Sequence, residues 1–103
     1  MTKYHNRITY VDGIRFDSKR EATRYSELKL LERAGHISDL ELQPRYPLVV
    51  NGTKVATYVG DFRYVEDGEM VLEDVKSQPT KTPVYRLKKR LVLAIWGATV
   101  RET

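Results

Sequence analysis

The sequence predicts an α+β layered domain of the α/β class. Three observations point there. Short β-rich runs meet at Asp12-Gly13, Asn51-Gly52 and Asp67-Gly68, the dipeptides of tight hairpin turns. Two longer segments carry apolar residues at helical spacing, each begun by a capping residue and ended by glycine. A hydrophobic fraction of 41% over 103 residues suffices for one core, so residues 1–103 are read as a single domain with an N-terminal hairpin.

In order, Arg7 to Tyr10 and Ile14 to Phe16 flank Val11-Asp12-Gly13 as that hairpin. A helix is predicted from Lys19 to Ala34, capped by Ser18 and ended by Gly35. Ala22, Tyr25, Leu28 and Leu31 or Glu32 share one face, and the basic residues lie largely elsewhere. Ile37 to Gln43 reads as strand, which Pro44 and Pro47 interrupt or confine to an edge. Leu48 to Val50 and Lys54 to Tyr64 read as further strand around Asn51-Gly52, followed by Met70 to Lys76. Ser77 to Lys81 is a loop. Thr82 caps a second helix with Pro83 at its first position. Val84, Leu87, Leu91 and Ile95 form its predicted apolar face, Gly97 ends it, and Ala98 to Arg101 forms a last short strand.

The net charge of +4 and pI near 9.4 permit a polyanionic partner without demanding one. No apolar run approaches the roughly 20 residues of a membrane span, and Met1 to Arg7 does not lead into the apolar stretch of a signal peptide. The absence of cysteine excludes a disulfide framework and a thiolate metal site. The expectation is a cytoplasmic protein with no membrane contact. His5 and His36 have no partner at useful spacing and read as surface or turn residues.

The segment Tyr58 to Lys76 carries the chemistry. With Asp67-Gly68 as a two-residue turn, Glu66 faces Glu69, Phe62 faces Glu73 and Asp61 faces Asp74. Directly opposed side chains lie about 4.5–5.5 Å apart at Cβ, on the same side of the sheet. Alternation puts Lys76 on the side of Asp74 and Glu73 on the other. Two like charges so opposed destabilise a plain sheet, and a hard divalent cation would relieve them. A solvated charged hairpin with no ligand is the plainer alternative. A three-residue turn would instead bring Glu73 across from Asp61 and leave Lys76 on the wrong face. Glu21 completes a capping-box spacing with Ser18, yet it also lies one turn before Tyr25, at the edge of the helix face that packs on the sheet.

Asp61, then Asp74-Val-Lys76 after a hairpin, with a helical Glu21 before them, resembles the PD-(D/E)XK nuclease superfamily. Gly60 stands where that motif has proline, and the second acid is aspartate. Longer segments resemble the DUF1064 family of phage and prophage proteins. They are Val11 to Ala22, Gln43-Pro-Arg-Tyr46, Tyr58 to Phe62, Glu73 to Lys76 and Thr82 to Arg90, in order over nearly the whole chain. The resemblance implies a restriction-endonuclease-like mixed sheet flanked by two helices. It also implies Asp61, Asp74 and Glu21 as ligands of Mg²⁺ or Mn²⁺, and Lys76 as the residue that activates water and steadies phosphate charge. In this picture Gln43 lies beside the site, where a core-edge hydrogen bond is the plainer role.

Lys81, Arg86, Lys88, Lys89 and Arg90, with Lys19, Arg20 and Arg24, form the expected nucleic-acid surface, since basic side chains flanking a metal site would hold phosphates on either side of the cut. A solvated helix face is the alternative for those charges. Tyr85 could stack on a base but reads better as core, and Trp96 as core or dimer contact. The functional expectation is a metal-dependent DNA endonuclease of phage DNA processing, cutting DNA that includes branched forms such as a Holliday junction, with a homodimer as the form that would cut two strands. The alternatives are a catalytically inactive nucleic-acid-binding module of the same fold, and a phage assembly or interaction protein whose acidic pair is merely surface.

Overall fold

The computed structural model describes residues 7–103, so His5 lies outside the described residues. The elements are β1 (Thr9–Val11), β2 (Ile14–Phe16), α1 (Lys19–Arg33), β3 (Ile37–Leu42), β4 (Arg45–Val50), β5 (Thr53–Val59), β6 (Phe62–Glu66), β7 (Glu69–Asp74), a 3₁₀ turn (Gln78–Thr80), α2 (Pro83–Trp96) and β8 (Val100–Glu102). The mixture of helices and sheets is the α+β arrangement expected. No described helix is long and apolar enough to cross a membrane.

The three Asx-Gly turns have positive φ at both positions, the backbone that matches strand twist in a two-residue hairpin. They join β1 to β2, β4 to β5 and β6 to β7. The central sheet has the order β3-β6-β7-β8, with β8 parallel to β7 and the other pairs antiparallel. In β6–β7 the register runs from Glu66 opposite Glu69 to Phe62 opposite Glu73, as a two-residue turn requires. Pro47 sits in β4, which pairs only with β5 and so needs no second set of hydrogen bonds.

The continuous strand expected from Lys54 to Tyr64 is broken at Gly60-Asp61. Here the chain passes from the β4–β5 pair to the β3–β6 pair. The opposite strand makes the same crossing at Gln43-Pro44. Gln43 N–H donates to the Asp61 carbonyl at 3.0 Å, and Gly60 N–H donates to the Pro44 carbonyl at 3.0 Å. Together these strands form one long hairpin, kinked across its middle. Glycine at position 60 follows from the close approach. A Cβ there would stand 2.7 Å from Leu72 Cδ1 and 3.4 Å from Pro44 Cγ. Proline would also lack the N–H that Pro44 accepts.

The core forms on both faces of the central sheet. Against α1 lie Phe16, Ala22, Tyr25, Leu28, Ile37, Phe62 and Tyr64. Ala22, Tyr25 and Leu28 are the face the periodicity predicts. Against α2 lie Tyr46, Leu48, Tyr58, Leu72, Tyr85, Val92 and Val100. Of the face predicted for α2, Leu91 alone packs against this core. Val84 (62% exposed), Leu87 (56%) and Ile95 (38%) face outward, while Tyr85 and Val92 go in. Polar anchoring accompanies this face: Tyr85 Oη donates to Glu102 at 2.7 Å and Lys89 pairs with Glu102 at 3.3 Å, both on the turned-in side. At the far end Trp96 Nε1 donates to the Pro47 carbonyl at 2.8 Å and its ring meets Tyr46 edge-on, an intramolecular contact.

A buried ion pair fastens α1 to the sheet. Glu73 is fully buried and accepts Arg24 Nε at 2.7 Å, Arg24 Nη2 at 2.9 Å and Tyr64 Oη at 2.6 Å. Burial pushes the Glu73 carboxyl up, but the bidentate Arg24 fork and the Tyr64 hydroxyl more than reverse this and hold it below the usual range. Removing the cation leaves a buried carboxylate held only by the Tyr64 and Thr103 hydroxyls. Arg24→Ala is therefore expected to lower stability by about 3–5 kcal/mol, read as a fall in the urea midpoint at neutral pH. A change under about 1 kcal/mol would mean that the pair behaves as an exposed one.

Candidate active site

The crossing at Gly60-Asp61 takes Asp61 out of the ladder just where β7 ends. Its N–H is shared, donating to the Glu73 carbonyl at 3.1 Å and to Asp74 Oδ1 at 2.8 Å. In return, Asp61 Oδ2 accepts the Val75 N–H at 2.8 Å. Each carboxylate thus binds a backbone amide of the opposite segment, and the two acids are held side by side. The second oxygen of Asp74 accepts the Tyr58 hydroxyl. Asp61 Oδ1 has no hydrogen-bond partner among the described residues.

Glu73 and Asp74 go to opposite sides, as alternation requires: Glu73 to Arg24 of α1, Asp74 to Tyr58 of β5. Lys76 lies with its ammonium 4.4 Å from the centre of the Tyr85 ring, a cation–π contact on the α2 side. Its charge favours ionisation of Asp61, Asp74 and Glu21 alike.

Glu21 does not close the capping box. Ser18 Oγ accepts the Glu21 N–H at 3.1 Å, but the reciprocal bond from the glutamate is absent. The carboxylate instead lines a cleft of about 190 Å³ with Arg15, Asp17, Gln43, Asp61, Phe16 and Phe62. Burial, then the charges of Asp61 and Asp17, push Glu21 up to about 7. Burial likewise raises Asp61, and takes Asp74 to about 6 against the opposing pull of Lys76.

The donor set consists of carboxylate oxygens, which suit Mg²⁺ or Mn²⁺. Among the described residues no three Asp, Glu or His side chains converge as a complete ligand set. Asp61 and Asp74 form the close pair; Asp61 shares the cleft with Glu21, and Asp74 is buried behind it. That fits the way Mg²⁺ is commonly held, by one or two carboxylates with water and phosphate oxygens completing its sphere.

The basic residues divide. Lys19 and Arg20 border a cleft of about 570 Å³ that reaches Val75, directly after Asp74. Arg24 also borders it but is tied to Glu73 and, at 3.2 Å, to Glu27, so its primary engagement is structural rather than toward a nucleic acid. Lys81, Arg86, Lys89 and Arg90 border a second cleft of about 440 Å³ between α2 and β8. Lys88 lies outside its lining. Lys81 and Lys89 converge on Glu102 at 3.1 and 3.3 Å. Glu102, directly opposite Asp74 in the parallel pair, is the residue the sequence reading missed. Its hydrogen bonds from Tyr85 and the two lysines hold it down at about 2. The signal for it lay in the Tyr85-to-Lys89 spacing, but its partner strand could not be named.

The profile of a family described as "Protein of unknown function (DUF1064)" matches residues 1–98. The chain belongs to this family. The match takes in Glu21, Asp61, Asp74 and Lys76, together with the kinked hairpin that brings the two aspartates together. No curated protein and no solved structure matches the chain.

Glu21, Asp61 and Asp74 are each harder to ionise than in an unfolded chain. The folded state therefore holds protons more tightly, and stability without divalent metal falls as pH rises from about 4.5 to about 7. Glu21→Gln removes one of the crowded charges without breaking a hydrogen bond. After allowing for solvent screening it should stabilise the metal-free protein by about 1 kcal/mol at pH 8 and change little at pH 4. Thermal unfolding at both pH values checks this. Destabilisation at pH 8 would mean that the Glu21 charge is favourable where it stands, as beside Lys76 or the helix N-terminus.

Proposed function

We propose that this protein is a divalent-metal-dependent DNA endonuclease of the PD-(D/E)XK type. The observation that supports this most is the reciprocal clasp of Asp61 and Asp74, with Lys76 beside it and an unbonded Glu21 carboxylate across the cleft. Such a site suits hydrolysis of a phosphodiester, in which charge neutralisation and in-line placement matter more than covalent help. When bound, Mg²⁺ or Mn²⁺ would polarise the scissile phosphate and make a bound water more acidic.

Asp61 and Asp74 would hold that ion, and Glu21 would complete the acidic side of the cleft. Lys76, kept near the acids by the Tyr85 ring, would orient the attacking water and offset charge developing on the phosphate. The products would be a 5′-phosphate and a 3′-hydroxyl. Lys19 and Arg20 on one side, and Arg86 and Arg90 on the other, would take the flanking phosphates. So small a domain has little surface for base readout, which favours recognition of DNA shape, as at a four-way junction. A homodimer would bring two sites to two strands. The setting would be phage or prophage DNA processing in a bacterial cytoplasm.

One observation favours a second reading, a non-catalytic nucleic-acid-binding module of the same fold. Both oxygens of Asp74 are already occupied by protein donors. The two readings separate on a panel of linear, flapped, single-stranded and four-way DNA incubated with Mn²⁺. The nuclease reading expects cleavage by wild type, abolished by EDTA and reduced by about 100-fold or more in Lys76→Ala with DNA binding retained. Undiminished cleavage by Asp61→Ala would remove the activity from this site. Binding without cleavage by wild type would leave the binding module.

A further inference from the structure

Five non-glycine described residues adopt positive φ: Asp12, Asp39, Gln43, Asn51 and Asp67. Four of these are Asp or Asn, whose short polar side chains tolerate the left-handed region. Three of the four open the Asx-Gly turns, and Asp39 sits in the irregularity between Ser38 and Glu41 of β3. Gln43, at φ 49°, has neither excuse. Its side chain is long, no glycine follows it, and the proline that does follow favours an extended residue before it.

Backbone strain of this kind persists where the surroundings impose it, and it gathers at functional sites. The surroundings here are the kink of the long hairpin. Gln43 N–H is held by the Asp61 carbonyl, and the carbonyl of the fully buried Pro44 is held by Gly60 N–H. The strained residue is therefore fixed to the backbone of the aspartate at the centre of the site. Its side chain lines the same cleft as Glu21 and Asp61. It is exposed, and its carboxamide has no hydrogen-bond partner among the described residues.

We infer that Gln43 is a substrate-positioning residue, whose carboxamide N–H donates to a backbone phosphate oxygen of the nucleic acid lying in this cleft. The chemistry suits the place. Arg15, the cation that lines this cleft, is already paired with Asp17 at 3.0 Å. A neutral donor can bind a phosphate oxygen while leaving the carboxylates free. This inference rests on the nuclease reading and deepens it.

The test uses Gln43→Gly, Gln43→Asn and wild type, with single-turnover cleavage in Mn²⁺ and thermal unfolding measured on each. Glycine adopts positive φ without penalty, so Gln43→Gly should unfold at the same temperature as wild type or higher. Its cleavage rate should nevertheless fall roughly 10- to 100-fold, the effect of one lost hydrogen bond to a charged group. Gln43→Asn keeps a carboxamide and tolerates the backbone, so it should retain more activity than the glycine variant. Opposite movement of stability and activity is not what a merely structural glutamine would produce. An active wild type with Gln43→Gly cleaving within about twofold of it overturns the inference alone. An inactive wild type overturns the nuclease reading and this inference with it.

Discussion

Asp61 and Asp74 hold each other through the backbone: the amide of Asp61 binds the carboxylate of Asp74, and the amide after Asp74 binds the carboxylate of Asp61. Most of the molecule can be understood as what is needed to keep two acids in that position. The hairpin must kink so that Asp61 leaves the ladder. The kink needs Gly60, because there is no room for a side chain against Leu72. It also needs the strained Gln43-Pro44 crossing opposite. Like charges at this distance are unfavourable in a closed sheet, and burial makes them more so. Asp61, Asp74 and Glu21 are all raised, first by burial and then by neighbouring acids, and Lys76 only partly offsets this.

The neighbouring acid shows the contrast. Glu73 is more deeply buried than Asp61, yet its carboxyl is held below the usual range because Arg24 and Tyr64 are built around it. Glu102 is likewise satisfied by two lysines and a tyrosine. Adjacent residues of one strand, Glu73 and Asp74, thus have opposite electrostatic fates because alternation sends Glu73 to Arg24 of α1 and Asp74 to the Tyr58 hydroxyl, with no cation among the described residues bonded to it. The satisfied acids hold elements together. Glu21 and the Asp61 oxygen left unpartnered among the described residues lie instead in the cleft, where an external cation and an anionic substrate could meet.

Local signals were the legible ones. The Asx-Gly turns, the caps at Ser18 and Thr82, and the left-handed Gly97 all follow from residue chemistry, and the β6–β7 register follows from the turn. That register brought Asp61 to Asp74. Non-local choices were not legible. Helical spacing in α2 offered two stripes, and the one with more aliphatic residues lost to the one whose Tyr85 and Lys89 meet Glu102 on a strand far along the chain. Arg24 reads in sequence as one more surface cation, since its partner is 49 residues away. The break at Gly60 was hidden because the β-rich residues on either side of it continue without interruption. Spacing alone also left Glu21 divided between cap and cleft, and only the missing reciprocal bond to Ser18 separates the two.

The central claim is that the clasped aspartates form a cation site. Anomalous X-ray diffraction from crystals of the protein grown with Mn²⁺ tests it directly. The account predicts one manganese peak at the mouth of the Glu21–Asp61 cleft, about 2.1 Å from a carboxylate oxygen of Asp61 and within coordination distance of Asp74. Manganese bound only elsewhere on the surface, with the Asp61 and Asp74 carboxylates still joined solely to backbone amides and Tyr58, would contradict it.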